Sequence, residues 1–514
     1  MGKILNKWDV YEVAIKGRQD GNPFTDYFIQ GEFKGEKECV KVDGFYDGDG
    51  VYKVRFMPSY EGEYTYQVSG NFCETGAETE ERLSGKFTVT SAKENVHGPV
   101  HVAEQFHFRY ADGTPYYSIG TTCYVWELKS DELIEQTLCS LSKTGFNKIR
   151  FCIFPKHYDY NLDEPRSYPY VGTPMDSSVL TPDNFWDYTK NPHENNDFDF
   201  SRFNTEHFRH IEECIKRLGE LGIQADLIMF HPYDRWGFSK MKPKEDDLYV
   251  KYIAARFSAF HNIWWSLANE YDLLEKTEKD WDRFGNILCE KDKYGHLRSI
   301  HNCIPFYDYT KAWVTHCSIQ RQDIYKTAEC TNEWRIKYGK PVVIDEMAYE
   351  GDIPHFWGNI TAQEMVRRFW ECAMRGGYPG HGETYLNPDN ILWWSHGGEL
   401  RGESWKRFKF LYYILCETPG LGLTSDAAFD YNGVIAYPEC EKEKKNKSYY
   451  IYYYSFMQPA LKNYYFENEM EVEIIDTWNM TIEKKGSFKG KFSIELPGRA
   501  FMAVRLREVN NGRV

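Results

Sequence analysis

The sequence predicts a multidomain chain with a central (β/α)8 TIM barrel, flanked by an N-terminal Ig-like β-sandwich and a C-terminal antiparallel β-sandwich. Three observations predict it. Residues 1–95 and 420–514 contain short stretches in which apolar and polar residues alternate with the period of two expected of strands. Residues 100–415 instead alternate compact apolar runs with amphipathic stretches of helical period, the pattern of repeated βα units and a parallel sheet. The 514 residues also exceed one compact core, whereas a barrel of ~250 residues or more with two small β domains fills them.

Within residues 1–95, Tyr52, Val54 and Phe56 alternate with polar neighbours, as do Tyr64, Tyr66 and Val68. Pro58-Ser-Tyr-Glu-Gly62 between them is turn chemistry, so a hairpin is expected, with a further strand over 86–90. Asp47-Gly-Asp-Gly50 has two aspartates but lacks the remaining ligands of a calcium loop, and reads as a tight turn.

The barrel strands are expected at 116–122, 147–153, 224–230, 262–267, 297–301, 313–317, 341–345 and 377–385. Phe208, Ile211, Ile215 and Leu218 fall on one face of a helix over 204–222, and Thr361-x-x-Glu364 caps another. The connection over 155–204, after strand two, is rich in Asp, Asn, Pro and Tyr. A loop of that length is commonly functional, and on a barrel it lies at the C-terminal face. Residues 449–454, 471–478 and 501–506 read as C-terminal strands, Leu496-Pro-Gly498 as a turn, and 439–447 as a charged hairpin tip.

Charge and composition exclude several classes. A net charge of −15 argues against a phosphate-binding surface, and so against nucleic acid as partner. No apolar run approaches the ~20 residues that cross a bilayer, so no membrane partner is expected. Thirteen cysteines contain no C-x-x-C pair, and neither H-E-x-x-H nor converging His/Asp spacing occurs, so neither a metal nor another cofactor is expected. Scattered thiols and an N-terminus without an apolar signal segment give a cytoplasmic expectation. Homo-oligomerisation stays open.

The chemistry lies at two strand ends. Ile263-Trp-Trp-Ser-Leu-Ala-Asn-Glu270 ends strand four and Pro341-Val-Val-Ile-Asp-Glu346 ends strand seven. Polar groups at the C-terminal ends of barrel strands face the active-site mouth. Two facing carboxyls are what glycosidic bond cleavage needs: one protonates the leaving oxygen, while the other attacks or activates water. The Asn269 amide suits a sugar 2-hydroxyl. Aromatics make up 17% of residues, and those on the mouth loops (Trp126, Tyr158, Trp236, Trp393 and Trp394) are candidate sugar platforms. Glu350, four residues past Glu346, is a rival nucleophile. Glu383 is a candidate contact to sugar hydroxyls, Asp345 is expected to point into barrel packing, and His207 and His210 are expected at the surface.

Trp265-Ser-Leu-Ala-Asn-Glu270 together with Pro341-Val-Val-Ile-Asp-Glu346 resembles the clan A retaining glycoside hydrolases. The resemblance implies Glu270 as acid/base and Glu346 as nucleophile. It further implies substrate-binding roles for Arg150 at the end of strand two, His231 after strand three, His316 and Gln320 on strand six, and Trp393 or Trp394 after strand eight. His316 and Gln320 stand where many members carry a Tyr that touches the nucleophile. Arg150 would also keep Glu346 ionised.

Phe45-Tyr-Asp-Gly-Asp-Gly-Val-Tyr52, Asp112-Gly-Thr-Pro-Tyr-Tyr117 and Tyr349-Glu-Gly351 extend the resemblance to a branch of candidate glycosidases related to apiosidase-like enzymes. The expected activity is retaining hydrolysis of β-linked oligosaccharides from plant cell walls. A carbohydrate-binding barrel without turnover and a transglycosylase are the alternatives.

Overall fold

The computed structural model describes residues 3–73, 83–181, 183–184, 187, 195–323, 326–427, 430–436, 446–456 and 458–509. The charged run expected as a hairpin tip falls almost wholly outside them. The eight barrel strands are β1 (Gly120–Thr122), β2 (Lys148–Cys152), β3 (Gln224–Phe230), β4 (Ile263–Ala268), β5 (Arg298–Ser299), β6 (Cys317–Gln320), β7 (Val342–Glu346) and β8 (Tyr378–His381). They pair in parallel in the order β5-β4-β3-β2-β1-β8-β7-β6, and a parallel bridge between His301 and Ser318 closes the ring. β1–β4 and β6–β8 are buried at every residue, because side chains fill the barrel inside and helices cover it outside.

The outer helices are α1 (Asp131–Ser142), α2 (Thr205–Glu220), α3 (Pro243–Phe257), α4 (Glu278–Lys291), α5 (Thr331–Tyr338), α6 (Ala362–Ala373) and α7 (Trp405–Cys416). Ser130, Asn204 and Thr361 cap α1, α2 and α6 by accepting from backbone N–H groups of the first turn. Phe208, Ile211, Ile215 and Leu218 of α2 are all buried. Among the described residues no α-helix separates β5 from β6.

Two expectations about strands are corrected. β6 begins at Cys317, not at Trp313. Trp313 packs against Gly285 of α4, where any Cβ would strike the indole, so its apolarity reports burial rather than a strand. The strands Val51–Phe56 and Gly62–Gly70 are not a hairpin either. The first belongs to a three-stranded sheet with Tyr11–Lys16 and Phe45–Tyr46. The second belongs to a five-stranded sheet with Lys3–Asn6, Ile29–Lys34, Cys39–Asp43 and Ser84–Thr90. The Pro58–Gly62 turn therefore carries the chain from one layer to the other. The alternating aromatic faces meet across the sandwich, with Phe33 stacked on Phe56 at 4.5 Å and Phe56 5.7 Å from Tyr64.

A buried ionic cluster fixes this domain to the barrel. Asp47 lies 2.8 Å from Arg256 of α3, and Arg55 lies 2.5 Å from Glu212 of α2. The C-terminal strands form a six-stranded antiparallel sheet whose Tyr453 ring stacks on Trp370 of α6 at 5.5 Å.

Candidate active site

β4 and β7 deliver Glu270 and Glu346 to one cavity of about 320 Å³ at the C-terminal end of the barrel. Glu346 is the last residue of β7. Glu270 follows β4 in a left-handed backbone conformation, φ +51°, an uncommon state for a side chain of this size. Both are almost wholly buried, at 7% and 4% exposure for Glu270 and Glu346.

Their partners differ. Glu346 Oε1 lies 3.1 Å from Arg150 Nη1 of β2 and accepts from the Tyr124 hydroxyl, which stands just past β1. A cation and an O–H donor suit an anion. Glu270 accepts from the Tyr233 hydroxyl, from Gln320 Nε2 at 3.2 Å and from Asn269 Nδ2 at 3.3 Å. Burial, and then the charge of Glu346, push the Glu270 carboxyl up to about 7. The two carboxyls thus sit in different environments, a cation and a hydroxyl donor beside Glu346 and a raised proton affinity at Glu270. Tyr124 also donates to Asn269 Oδ1 at 3.1 Å, so one hydroxyl joins the two strand ends. Beneath them Lys148 lies 2.8 Å from Asp226 and 2.6 Å from Asp345, which also accepts from Ser318 Oγ at 2.5 Å. Asp345 is accordingly committed to barrel packing.

A larger hollow, about 1140 Å³, lies between the N-terminal domain and the opposite end of the barrel. It has none of the strand-end carboxyls, and in barrels the chemistry sits at the other face.

Comparison with known proteins bears on the fold and the family. Residues 103–409 match the model of the apiosidase-like catalytic domain, more than half of the chain. The chain belongs to the apiosidase-like family. Residues 4–71 and 439–507 match two domains of unknown function, DUF5060 and DUF5605. A crystal structure of a candidate glycoside hydrolase from Bacteroides vulgatus is 35% identical, with 99% of this chain and 100% of that chain covered and a TM-score of 0.88. A glycoside hydrolase family 5 structure from Bacteroides vulgatus shares the fold at 16% identity, covering 81% of this chain and 95% of that one, TM-score 0.59. No curated protein matches the chain. The apiosidase-like chain is a glycoside hydrolase.

In this apiosidase-like barrel, Arg150, Asn269 and Gln320 surround the carboxyl pair, and Trp394 walls the cavity. Three expected substrate contacts lie elsewhere. His316 precedes β6, at the N-terminal end of the barrel, wedged against Trp264 and Phe108 at 5.2 and 5.9 Å between ring centroids. The displaced start of β6 is the reason. Trp393 turns inward, donates to Thr121 Oγ1 at 2.9 Å and belongs to the core. His231 lies behind the cavity wall, donating from Nε2 to the Phe154 carbonyl at 3.3 Å. Burial and nearby Lys156 push it down to about 3, so it stays neutral.

Of the other platform candidates, Tyr158 lines the cavity, whereas Trp126 and Trp236 are fully buried elsewhere. His207 is also buried, with its ring bonded to Ser167 Oγ and the Ile153 carbonyl, a correction to its expected surface place. The rival nucleophile Glu350 is turned away from the cavity. Its carboxylate accepts from the N–H groups of Glu403 and Ser404 and from Tyr385. Glu383 is likewise held by the N–H groups of Arg401 and Gly402, not by the cavity. Among the described residues, Glu350, Glu383 and His381 bring ligand-type atoms within 4.8 Å of one another. Both carboxylates are already taken by these N–H donors.

Three groups escaped sequence reading: Tyr124, Lys156 and Tyr233 sit in loops without a motif. His301, at the end of strand five, is expected from sequence to bind substrate or support the groups that do, rather than to hold a metal. His301 Nε2 lies 3.9 Å from Glu346 Oε1, and burial with Arg150 nearby keeps the ring neutral.

Proposed function

We propose that this glycoside hydrolase cleaves β-linked oligosaccharides of plant cell-wall origin with retention of configuration. Glu346 attacks the anomeric carbon and forms a glycosyl ester, while Glu270 protonates the departing oxygen. Glu270, now ionised, then takes a proton from water, and that water releases the sugar. The observation that carries this reading is the contrast between the two carboxyls in one cavity. Glu346 faces Arg150 and the Tyr124 hydroxyl, whereas burial raises Glu270 to about 7.

Asn269 is placed beside the acid/base to hold the sugar 2-hydroxyl, and Trp394 and Tyr158 offer ring faces to the sugar. The plant cell-wall class is part of this proposal. A cytoplasmic setting, where thiols stay reduced, completes the proposal; the twelve described cysteines are free, Cys123, Cys152 and Cys317 among those buried. The test is the stereochemistry of the first-formed sugar, read by proton NMR during hydrolysis of an aryl β-glycoside. The β-anomer appearing first supports the reading, and the α-anomer appearing first refutes it.

A further inference from the structure

Lys156, on the loop after β2, is 3% exposed, yet its ammonium reaches the cavity wall. Nζ lies 3.3 Å from the centre of the Tyr124 ring, 4.4 Å from that of Tyr233, 5.1 Å from that of Trp394 and 5.2 Å from that of Tyr158. Rings stabilise a cation through their negative faces. Two of these rings carry the hydroxyls bonded to Glu346 and Glu270, so the ammonium stands beside the reacting pair. Among the described residues, no carboxylate lies within ion-pair distance of Nζ, and no oxygen accepts from it.

The charges nearest it are paired with other groups. Glu346 is balanced by Arg150 at 3.1 Å. Glu270 is largely protonated below pH 7, because burial raises it to about 7. Burial also pulls the Lys156 ammonium down, to about 8, which leaves it mostly charged at neutral pH. The Lys156 ammonium therefore faces the cavity without an ion-pair partner of its own. Sugar hydroxyls accept from an ammonium but do not neutralise it, whereas an anionic oxygen does both.

We infer that Lys156 selects a sugar carrying an anionic substituent, a carboxylate or a sulfate, for the ring whose anomeric carbon lies between Glu270 and Glu346. This rests on the proposed roles of those two carboxyls. The anionic group takes one or two charge-assisted hydrogen bonds from Nζ, and the aromatic walls hold the ammonium in place.

Competing substrates test it. The 4-methylumbelliferyl β-glucuronide, β-galacturonide and 6-sulfated β-galactoside are compared with the neutral β-glucoside and β-galactoside. Wild type should favour an anionic substrate by at least tenfold in kcat/KM over its neutral parent. Whether the uronides or the sulfated sugar lead tells carboxylate from sulfate. Lys156→Gln should bring that ratio to near one, and Lys156→Arg should keep part of it. A lysine that only supported the carboxyl pair would lower all substrates alike and leave the ratio unchanged, which overturns the inference.

So does a wild type that prefers the neutral sugars. If Glu346→Ala is inactive on them, that outcome leaves the proposed mechanism standing. An anionic preference with full turnover in Glu346→Ala would remove the mechanism instead. If none of the panel is hydrolysed, calorimetry with glucuronate, galacturonate and galactose 6-sulfate against glucose and galactose reads the same ratio. An acidic sugar bound at least tenfold tighter than its parent, with that margin lost in Lys156→Gln, supports the inference; any other result overturns it.

Discussion

Gln320 donates from Nε2 to Glu270 Oε1 at 3.2 Å, while its backbone pairs in register with Glu346 across β6 and β7. A single residue thus joins the strand that ends in Glu346 to the side chain of Glu270. Its amide hydrogen favours the charged form of Glu270 and so opposes the upward push of burial and of Glu346. With Glu270 as the proposed proton donor, kcat/KM should fall as pH rises through about 7. Gln320→Leu removes a donor to the anion and should move that alkaline limb upward. Glu346→Gln removes a like charge and should move the Glu270 titration downward, read by carbon NMR because that variant is expected not to turn over. Shifts in the same direction for both variants would contradict the assignment.

Glu270→Ala should be selective in the damage it does. A sugar or alkyl leaving group needs the proton, so loss of about 10²–10⁴-fold in kcat/KM is expected for such substrates. A 2,4-dinitrophenyl glycoside leaves as a stable anion and should lose far less. An equal loss on both substrates would mean that Glu270 is not the proton donor.

Tyr124→Phe deletes the hydroxyl shared by Glu346 and Asn269 while keeping the ring beneath Lys156. A hydrogen bond to a charged group contributes about 1.5–3 kcal/mol, so kcat should fall about 10–100-fold. The melting temperature should change little. Steady-state kinetics with thermal denaturation separates the two effects.

Trp393 and Trp394 are neighbours in sequence with opposite surroundings. Trp394→Ala should raise KM with only a modest loss of stability, because its ring walls the cavity. Trp393→Ala empties a core position and breaks the bond to Thr121, for a loss of about 3–5 kcal/mol. Denaturant titration beside KM values checks both.

This pair also marks the limit of what sequence conveys. The barrel was legible because its strands are short apolar runs separated by amphipathic helices, and the carboxyls were legible because a charge ending such a run has few other reasons to be there. His316 was misplaced because Trp313 and Val314 are apolar for packing, not for a strand, which shifted the apparent phase of β6. His231 and Trp393 follow strand ends as active-site residues do, but the loop conformation turns them away, and one residue of sequence does not report that rotation. Tyr124, Tyr233 and Lys156 were invisible for the converse reason: their placement depends on three separate loops converging. The two layers of the N-terminal domain read as a hairpin because a turn within one sheet and an arch between sheets use the same turn residues.

Lys148 holds two carboxylates, Asp226 and Asp345, inside the barrel at 2.8 and 2.6 Å. Lys148→Met removes the cation that both bond and should cost about 3–5 kcal/mol in stability near neutral pH. Because protonation relieves the two carboxylates, the deficit should shrink as pH falls. Denaturant unfolding at several pH values checks this, and a pH-independent deficit would contradict it.

The most direct measurement is the site of covalent attachment. Incubation with an activated 2-fluoro-β-glycoside that the enzyme accepts, followed by proteolysis and mass spectrometry, should find the sugar on the peptide containing Glu346, with none in Glu346→Ala. Attachment to Glu350, or to any other residue in the wild-type protein, would contradict the account.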